Sequence, residues 1–536
     1  MCVELRQRLI DYLTQEKELL EIDITSHEQM SDDDLVEIGL LIDNCSFVMC
    51  AEDSTVLSFK ENTSKIRQGD KVFLIDKVDG AKQPAEIIEI SPENVRIDTF
   101  LKKNHDTDFR YQIRADERVY TQTIINLLET IHESQSGSKF LEYLDENRNP
   151  VLTESCSIET ISIPSRFNEN QRSAIELCLG FPNVACVHGP PGTGKTDVLA
   201  FVAKAYSDAG FEVLIISHTH QAVNNALEKI SGFYSNPTIK IGSIPHDKTS
   251  KSGVLHFSKY TEYLSYRKSK SHRRQIKGDI VGMSILSAAA NLGFRISGFS
   301  PIVALVDEAS QLPLSIGSII GKFGVQSVIF FGDDRQLPPI FHQDLIDHDL
   351  SESIFTRISR MHPDSKVVLN HTYRMNSDIT TYVSKHFYEP YSIMLKSDRN
   401  PIYSTSIDFV DYTYDSSDCN DFNDWEAENA ATISMKYSAK NNSVAIITPF
   451  RKQVNLIRHY IKENYHDSNL PIPIVDTVER LQGMDVDIII ISFSVTNPDF
   501  YKATQSFITN PNRLNVMFSR AKDKVIILKS NLIKLM

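Results

Sequence analysis

The octapeptide GPPGTGKT, Gly189 to Thr196, constrains this chain more than any other stretch. It fits the pattern G-x-x-x-x-G-K-[ST] and directly follows the apolar run NVACVH. Its glycines let successive backbone N–H groups turn inward around phosphate oxygens. A lysine at this position reaches the terminal phosphates, and the hydroxyl beside it ligates magnesium. The geometry works only between a buried strand and a helix whose positive N-terminal end faces the anion. Gly189, Pro190, Pro191, Gly192, Thr193, Gly194, Lys195 and Thr196 therefore form a candidate phosphate cradle and commit the surrounding chain to an α/β layer.

The rest of the sequence agrees with that commitment. From about residue 165, apolar runs alternate with helical segments: NVACVHG, EVLIIS, DIVGMS, IVALVDE and SVIFFGD, then KVVLNHTYR, SVAIITPF, VDIIIISFS and KVIILKS. Such alternation predicts parallel sheets with helices on both faces. It divides into two α/β domains, 166–345 and 346–536. The N-terminal part differs. Residues 1–45 show helical periodicity through Leu9, Leu13, Leu19 and Leu20. Residues 46–105 contain four short β-like runs, VLSFK, KVFLID, AEIIEI and VRIDTF, separated by turn signals, which suggests a small barrel or sheet. Residues 106–165 hold a returning helix from about Asp116 to Ser134 and a linker.

Two further strand ends carry chemistry. IVALVDEAS places Asp307 and Glu308 at the C-terminal end of a strand, where parallel sheets bind ligands. Asp307 would hold Mg²⁺ and Glu308 would act as general base toward an attacking water. In GDDRQLPP, Gln336 could sense the γ-phosphate and Asp333 could orient its neighbours. Near the C-terminus, NPNRLNVMFSRAKDK carries Arg513 and Arg520, which a continuous helix would place on one face. A salt bridge within its own domain and a nucleotide contact both remain open for Arg513.

The net charge of −14 weighs against a protein that merely coats nucleic acid, but a local groove field matters more than the sum. A basic stretch within about 243–278 carries nine Lys and Arg from Lys248 to Lys277 against Glu262, and reads as a solvated linker or a phosphate-contacting insertion. The seven cysteines form no C-x-x-C pair, which fits a reducing cytoplasm, and no apolar run is long enough for a bilayer. The Asp-rich segment 411–426 lacks the glycine and terminal Glu of a calcium loop, and His218 and His220 have no evident third zinc ligand.

Taken in order, these motifs resemble superfamily 1 helicases of the 5′-to-3′ branch, the branch typified by the RNA helicase of nonsense-mediated decay. FNENQ, GPPGTGKT, ISHTHQAVNNAL, IVALVDEAS, GDDRQLPP, LNHTYRMN, AIITPFRKQ, VERLQGMDVDIIIISF and NPNRLNVMFSRAK carry the likeness. The resemblance implies two tandem RecA-like domains, with a helical stalk and an accessory barrel before them. It implies ATP and Mg²⁺ as cofactors, Gln171 reading the adenine, Tyr373 stacking on it, and Arg374 and Arg520 meeting the γ-phosphate from the second domain. Gln482, Gly483 and Asp485 would line the same cleft, with Asp485 standing where glutamate is usual. Thr219, His220 and Ser284 in the first domain, and Thr448, Pro449 and Thr477 in the second, would contact the nucleic-acid backbone.

The expectation is an ATP-driven helicase or translocase on single-stranded DNA or RNA, moving 5′ to 3′ and active as a cytoplasmic monomer. An ATPase switch or remodeller that separates no strands is the alternative. An AAA+ subunit is disfavoured, because such subunits receive their arginine from a neighbour, whereas this chain brings its own. No acidic metal cluster supports a nuclease.

Overall fold

Eight parallel strands build the larger of two open sheets, in the order Val254–Phe257, Thr238–Ile241, Ile280–Ser284, Val213–Ser217, Val303–Val306, Ser327–Gly332, Val184–His188 and Lys366–Val368. The six inner strands are buried along almost their whole length, the signature of a sheet covered on both faces. The computed structural model describes residues 2–51, 54–60, 62, 64–66, 69–91, 93–99, 101, 110–116, 121–145, 161–233, 238–242, 253–270, 278–291, 299–413, 420–464, 470–481 and 483–535. Gln482, Cys156, Cys419 and most of the basic stretch (243–252 and 271–277) lie outside the described residues.

A second, five-stranded parallel sheet follows, ordered Ile407–Tyr412, Ala521–Ser530, Val486–Ser492, Val444–Thr448 and Ile474–Thr477. Each sheet has its own apolar layers. Ile215, Leu305 and Phe331 pack under the helix Lys195–Asp208, and Ile447, Ile489 and Ile527 pack under the helix Pro511–Ser519. The strand Lys366–Val368, which the sequence pattern groups with the second sheet, instead pairs with the first, Lys366 opposite Cys186 and Val368 opposite His188. Its three residues are only half-buried, so the apolar pattern could not show which sheet it joins.

The N-terminal strands close into a six-stranded antiparallel barrel. Four of them correspond to the runs legible in the sequence. The other two, Leu41–Ala51 and Tyr111–Ala115, were hidden. The first is interrupted at Asp43–Asn44, where Asn44 has φ +53° and the register shifts, and such a bulge breaks the two-residue alternation.

The stalk helix Cys2–Glu28 buries Leu5, Leu9, Tyr12 and Leu13 against Phe140, Leu141 and Leu144 of the helix Gln135–Leu144. That cluster is continuous with Ile319, Ile320 and Phe323 of the first half, so stalk and first half share one core. The returning helical region is broken: Thr121–Glu129, a short 3₁₀ turn at Ile131–Glu133, then Gln135–Leu144, whose N-cap Ser134 accepts from the Gly137 N–H.

Candidate nucleotide cleft and adjoining polar edges

The loop 189–194 leaves the strand Val184–His188 and enters the helix Lys195–Asp208. Gly192 (φ +73°) and Gly194 (φ +81°) both occupy the left-handed region that side chains disfavour. A Cβ on Gly192 would stand 2.5 Å from Arg374 Cβ and 2.6 Å from Thr372 Oγ1. Thr196 is the second residue of the helix, beside the cradle, and the Lys195 ammonium donates to the Gly189 carbonyl.

The segment Thr372–Tyr373–Arg374 is pinned onto this loop. Thr372 Oγ1 donates to the Pro191 carbonyl at 2.8 Å, and the Tyr373 N–H to the Gly192 carbonyl at 2.8 Å. Tyr373 is half-exposed, and its hydroxyl accepts from Asn168 Nδ2 at 2.9 Å. Asn168 also caps the helix Glu169–Leu179 in a reciprocal box with Gln171, whose Nε2 donates to the Thr193 carbonyl at 3.0 Å. Gln171, Tyr373 and the cradle therefore share one rim.

Asp307 and Glu308 end the strand Val303–Val306, next to the strand that leads to Gln336. Glu308 has φ +51°, a strained conformation for a non-glycine residue and one concentrated at functional sites. Asp307 accepts from the Glu308 N–H at 3.0 Å. Burial first, and the Glu308 charge second, push its carboxyl up to about 7, with Lys195 opposing.

The second half closes over this edge. Arg520 Nη2 donates to Gln336 Oε1 at 2.8 Å, and Arg374 Nη1 donates to the Ser519 carbonyl at 3.1 Å. Burial and then the neighbouring Arg374 bring Arg520 down to about 9, and its Nε is buried with no hydrogen-bond partner. Burial lowers Arg374 as well, while Asp485 and Glu308 act to raise it. Asp485 lies at the same cleft, 2.8 Å from Lys522 Nζ and 3.9 Å from Arg374. Gly483 (φ +83°) faces Asn225 of the first half.

Arg513 and Arg520 do not share a target. The helix ends at Ser519 with Arg520 as its C-cap, so the strand Ala521–Ser530 begins directly afterwards. Arg513 pairs with Glu479 of its own half and stacks over the Phe507 ring at 3.8 Å.

The residues expected at nucleic acid sit at strand ends along two edges, where Thr219 is exposed and Ser284, Thr448, Pro449 and Thr477 are buried. Thr219 and Ser284 cap the helices His220–Ser231 and Ile285–Ala290, at the C-terminal ends of the adjacent strands Val213–Ser217 and Ile280–Ser284. Thr448 and Thr477 stand opposite each other at the ends of their strands, with Pro449 next in the chain. His220 is turned inward: its Nδ1 lies 2.9 Å from Lys240 Nζ and its ring packs near Gly69 of the barrel. Burial, then Lys240, lowers His220 to about 3, and burial lowers Lys240 to about 7. The barrel also touches the second half, where Arg480 Nη2 donates to the Ser64 carbonyl at 2.7 Å. In the basic stretch, Arg267 pairs with Glu212.

Asn168, His188, Tyr388, Asn512 and Asn515 were not legible as site residues. Asn512 Nδ2 donates to the Gln336 carbonyl at 2.7 Å and Asn515 Nδ2 to the Arg335 carbonyl at 2.7 Å, contacts made across about the whole second half. The only local signal was a pair of asparagines flanking Arg513 in NRLN.

Two tandem parallel-sheet halves clamped over one phosphate loop define a P-loop nucleotide-using protein of the RecA-like type. Two family models, each described as an AAA domain, match residues 166–291 and 350–531. The DNA replication ATP-dependent helicase/nuclease DNA2 of Bos taurus is 25% identical over 458 residues, covering 75% of this chain and 41% of that protein. Its Schizosaccharomyces pombe counterpart is 28% identical over 473 residues, covering 81% of this chain and 32% of that protein. The chain thus spans about a third to two-fifths of the length of these relatives. Among solved structures, the Arterivirus nonstructural protein 10 helicase superposes with TM-score 0.41 and 12% identity, covering 93% of this chain and 80% of that one. Its complex with DNA gives 0.42 and 13%, covering 86% and 77%. The chain is similar to the superfamily 1 helicases, on the branch that includes the nonsense-mediated-decay RNA helicase. Among the described residues, no helix is long and apolar enough to cross a membrane.

Proposed function

We propose that the chain hydrolyses ATP with Mg²⁺ in the cleft between its halves and uses the cycle to move 5′ to 3′ along single-stranded DNA or RNA. The observation that carries this reading is charge held in deficit on both sides of the cleft. The second half buries Arg374 and Arg520 together, a cationic pair in which Arg520 Nε has no hydrogen-bond partner and burial outweighs the pull of Glu308 and Asp485. The first half buries Asp307 beside Glu308, so that its carboxyl is driven toward the neutral form. A metal-bound triphosphate supplies an anion to the first pair and a cation to the second, so the residue set fits that ligand.

Each residue then has a role that follows from its place. The loop Gly189–Gly194 presents its N–H groups to the phosphates, and Lys195 exchanges the Gly189 carbonyl for phosphate oxygens. Thr196 and Asp307 would hold the metal, which would neutralise charge on the phosphates. Glu308 accepts a proton from the attacking water, and Gln336 orients at the terminal phosphate. Arg374 and Arg520 stabilise charge that develops there. Gln171 and Tyr373 hold the base, with Gly483 and Asp485 at the sugar side. Arg513 serves the second half internally through Glu479 and Phe507.

Thr219 and Ser284 on one half, and Thr448, Pro449 and Thr477 on the other, mark the strand ends along the two edges of a strand-tracking surface, with His220 set behind the first edge against Lys240. The barrel bridges segments beside both edges, at His220 and at Arg480. The expected bounds 1–45, 46–105, 106–165, 166–345 and 346–536 shift accordingly: the stalk joins Cys2–Glu28 to the helices of 121–144, the barrel runs from Leu41 to Ala115, and the first motor half borrows the strand Lys366–Val368 from the second, all working as a monomer. The arginines reach the first half across the closed seam, and nucleotide turnover would alternate closure and release of that contact.

The test measures ATP hydrolysis without polymer, with single-stranded DNA and with single-stranded RNA, each over a salt series, followed by unwinding of duplexes with 5′ or 3′ tails. The reading predicts stimulation that falls steeply with salt, and unwinding from 5′ tails. Lys195→Ala abolishes hydrolysis, and Glu308→Gln binds ATP while turning over about 10²- to 10⁴-fold slower. Stimulation without strand separation would leave a switch or remodeller. No hydrolysis under any condition contradicts the reading.

A further inference from the structure

Tyr388 has no exposed surface, yet its hydroxyl lies at the seam between the two halves. It ends a single π-helical turn, Ser384–Tyr388, that continues the helix Ser377–Val383. Such turns are rare and collect at functional sites, because the extra residue re-aims the side chain that follows. Here the re-aimed phenol meets Asp333, whose carboxylate accepts four hydrogen bonds, two on each oxygen. Oδ1 takes His188 Nε2 at 3.0 Å and the Arg335 N–H at 3.1 Å; Oδ2 takes Gln336 Nε2 at 2.7 Å and Tyr388 Oη at 2.7 Å.

The donors and acceptors leave one arrangement. Burial, and then Asp333, keep the phenol protonated far above its ordinary value. Burial alone would raise Asp333, but the His188 hydrogen bond and charge, then Lys195 and Gln336, hold it ionised at about 2. Asp333 can only accept, so Tyr388 donates to it, and the phenolic oxygen accepts from Asn515 Nδ2 at 2.8 Å. The other Asn515 hydrogen goes to the Arg335 carbonyl, which fixes the orientation of that amide. By the same logic Gln336 turns its Nε2 to Asp333 and its Oε1 to Arg520.

Two arms therefore run from Asp333 to the same helix, one to its C-cap and one to its middle. One passes through Gln336 to Arg520, and the other through Tyr388 to Asn515. We infer that Tyr388 is a positioning residue for nucleotide hydrolysis, which sets the Asp333 carboxylate, and through it the Gln336 amide, only while the helix Pro511–Ser519 is docked. This rests on the nucleotide reading of the cleft and adds to it a second route by which cleft closure is reported to Gln336. Removing the hydroxyl leaves Asp333 Oδ2 one donor short and lets the Gln336 amide turn away from Arg520.

Tyr388→Phe tests the inference with packing preserved. Losing a hydrogen bond to a charged group predicts a fall in kcat of about tenfold or more, with KM for ATP within about twofold. In the double variant with Gln336→Ala, the substitution adds no further loss, since it acts through that amide. A kcat equal to that of the unsubstituted chain overturns the inference, as does a loss confined to KM or one that multiplies in full with Gln336→Ala. Hydrogen exchange gives a readout that needs no turnover: Tyr388→Phe should raise exchange in 333–337 and 511–520 together. Should the unsubstituted chain hydrolyse nothing, the functional reading fails. Linked exchange would then still uphold the coupling of the two segments, and unchanged exchange would end it.

Discussion

Glu426 is fully buried in the second half, where Tyr412 Oη donates at 2.6 Å, Ser492 Oγ at 2.7 Å and the Ser494 N–H at 2.9 Å. Burial drives its carboxyl from the ordinary 4.5 up to about 7 against the pull of those donors. The folded chain thus keeps a proton that the unfolded chain has released between these two values. The sign follows: this group's contribution to stability is full below 4.5 and is lost as pH rises through 7. Glu426→Gln cannot titrate. Its stability relative to the unsubstituted chain should improve between pH 5 and pH 8, by at most about 3 kcal/mol. Urea melts at the two pH values check this, and a constant difference contradicts it. Gly192 gives a steric counterpart. A methyl there would strike Arg374 and Thr372 from a backbone at φ +73°, so Gly192→Ala should disrupt both the cradle and the seam. Binding of a fluorescent ATP analogue should weaken by about tenfold or more, and the melting temperature should fall, consistent with about 1–3 kcal/mol of overpacking.

At the scale of elements, the sequence was most readable where burial is two-sided. IVALVDE and SVIFFGD are continuous apolar runs because helices cover both faces of their sheet, and their acidic ends mark the ligand edge. It was least readable where an element is short or bulged, as at Lys366–Val368 and Leu41–Ala51. The cradle could be read because its glycines and lysine are contiguous. The Asp333–Tyr388–Asn515 chain could not, because its members join only after two sheets have docked. The stalk's attachment depends on close helix approach: a Cβ on Gly321 would lie 2.9 Å from Gly137 Cα and from Phe140 Cβ. Gly321→Ala should therefore push the helix Gln135–Leu144 away, costing about 1–3 kcal/mol by denaturant melt. An unchanged midpoint would show that the stalk tolerates a looser seat.

The whole molecule is a pair of halves whose seam coincides with the candidate site. Thr372 and Tyr373 fasten to the phosphate loop, while Asn512, Asn515 and Arg520 fasten to the strand end that carries Gln336. On the proposed reading, an arginine delivered by the second half completes a pocket begun by the first. Polymer-stimulated ATP turnover by Arg520→Ala, with folding verified by circular dichroism, is the measurement that tests this shared pocket. A drop of about 10³- to 10⁵-fold is predicted for losing an arginine that meets the transferring phosphate. Turnover matching that of the unsubstituted chain would contradict it.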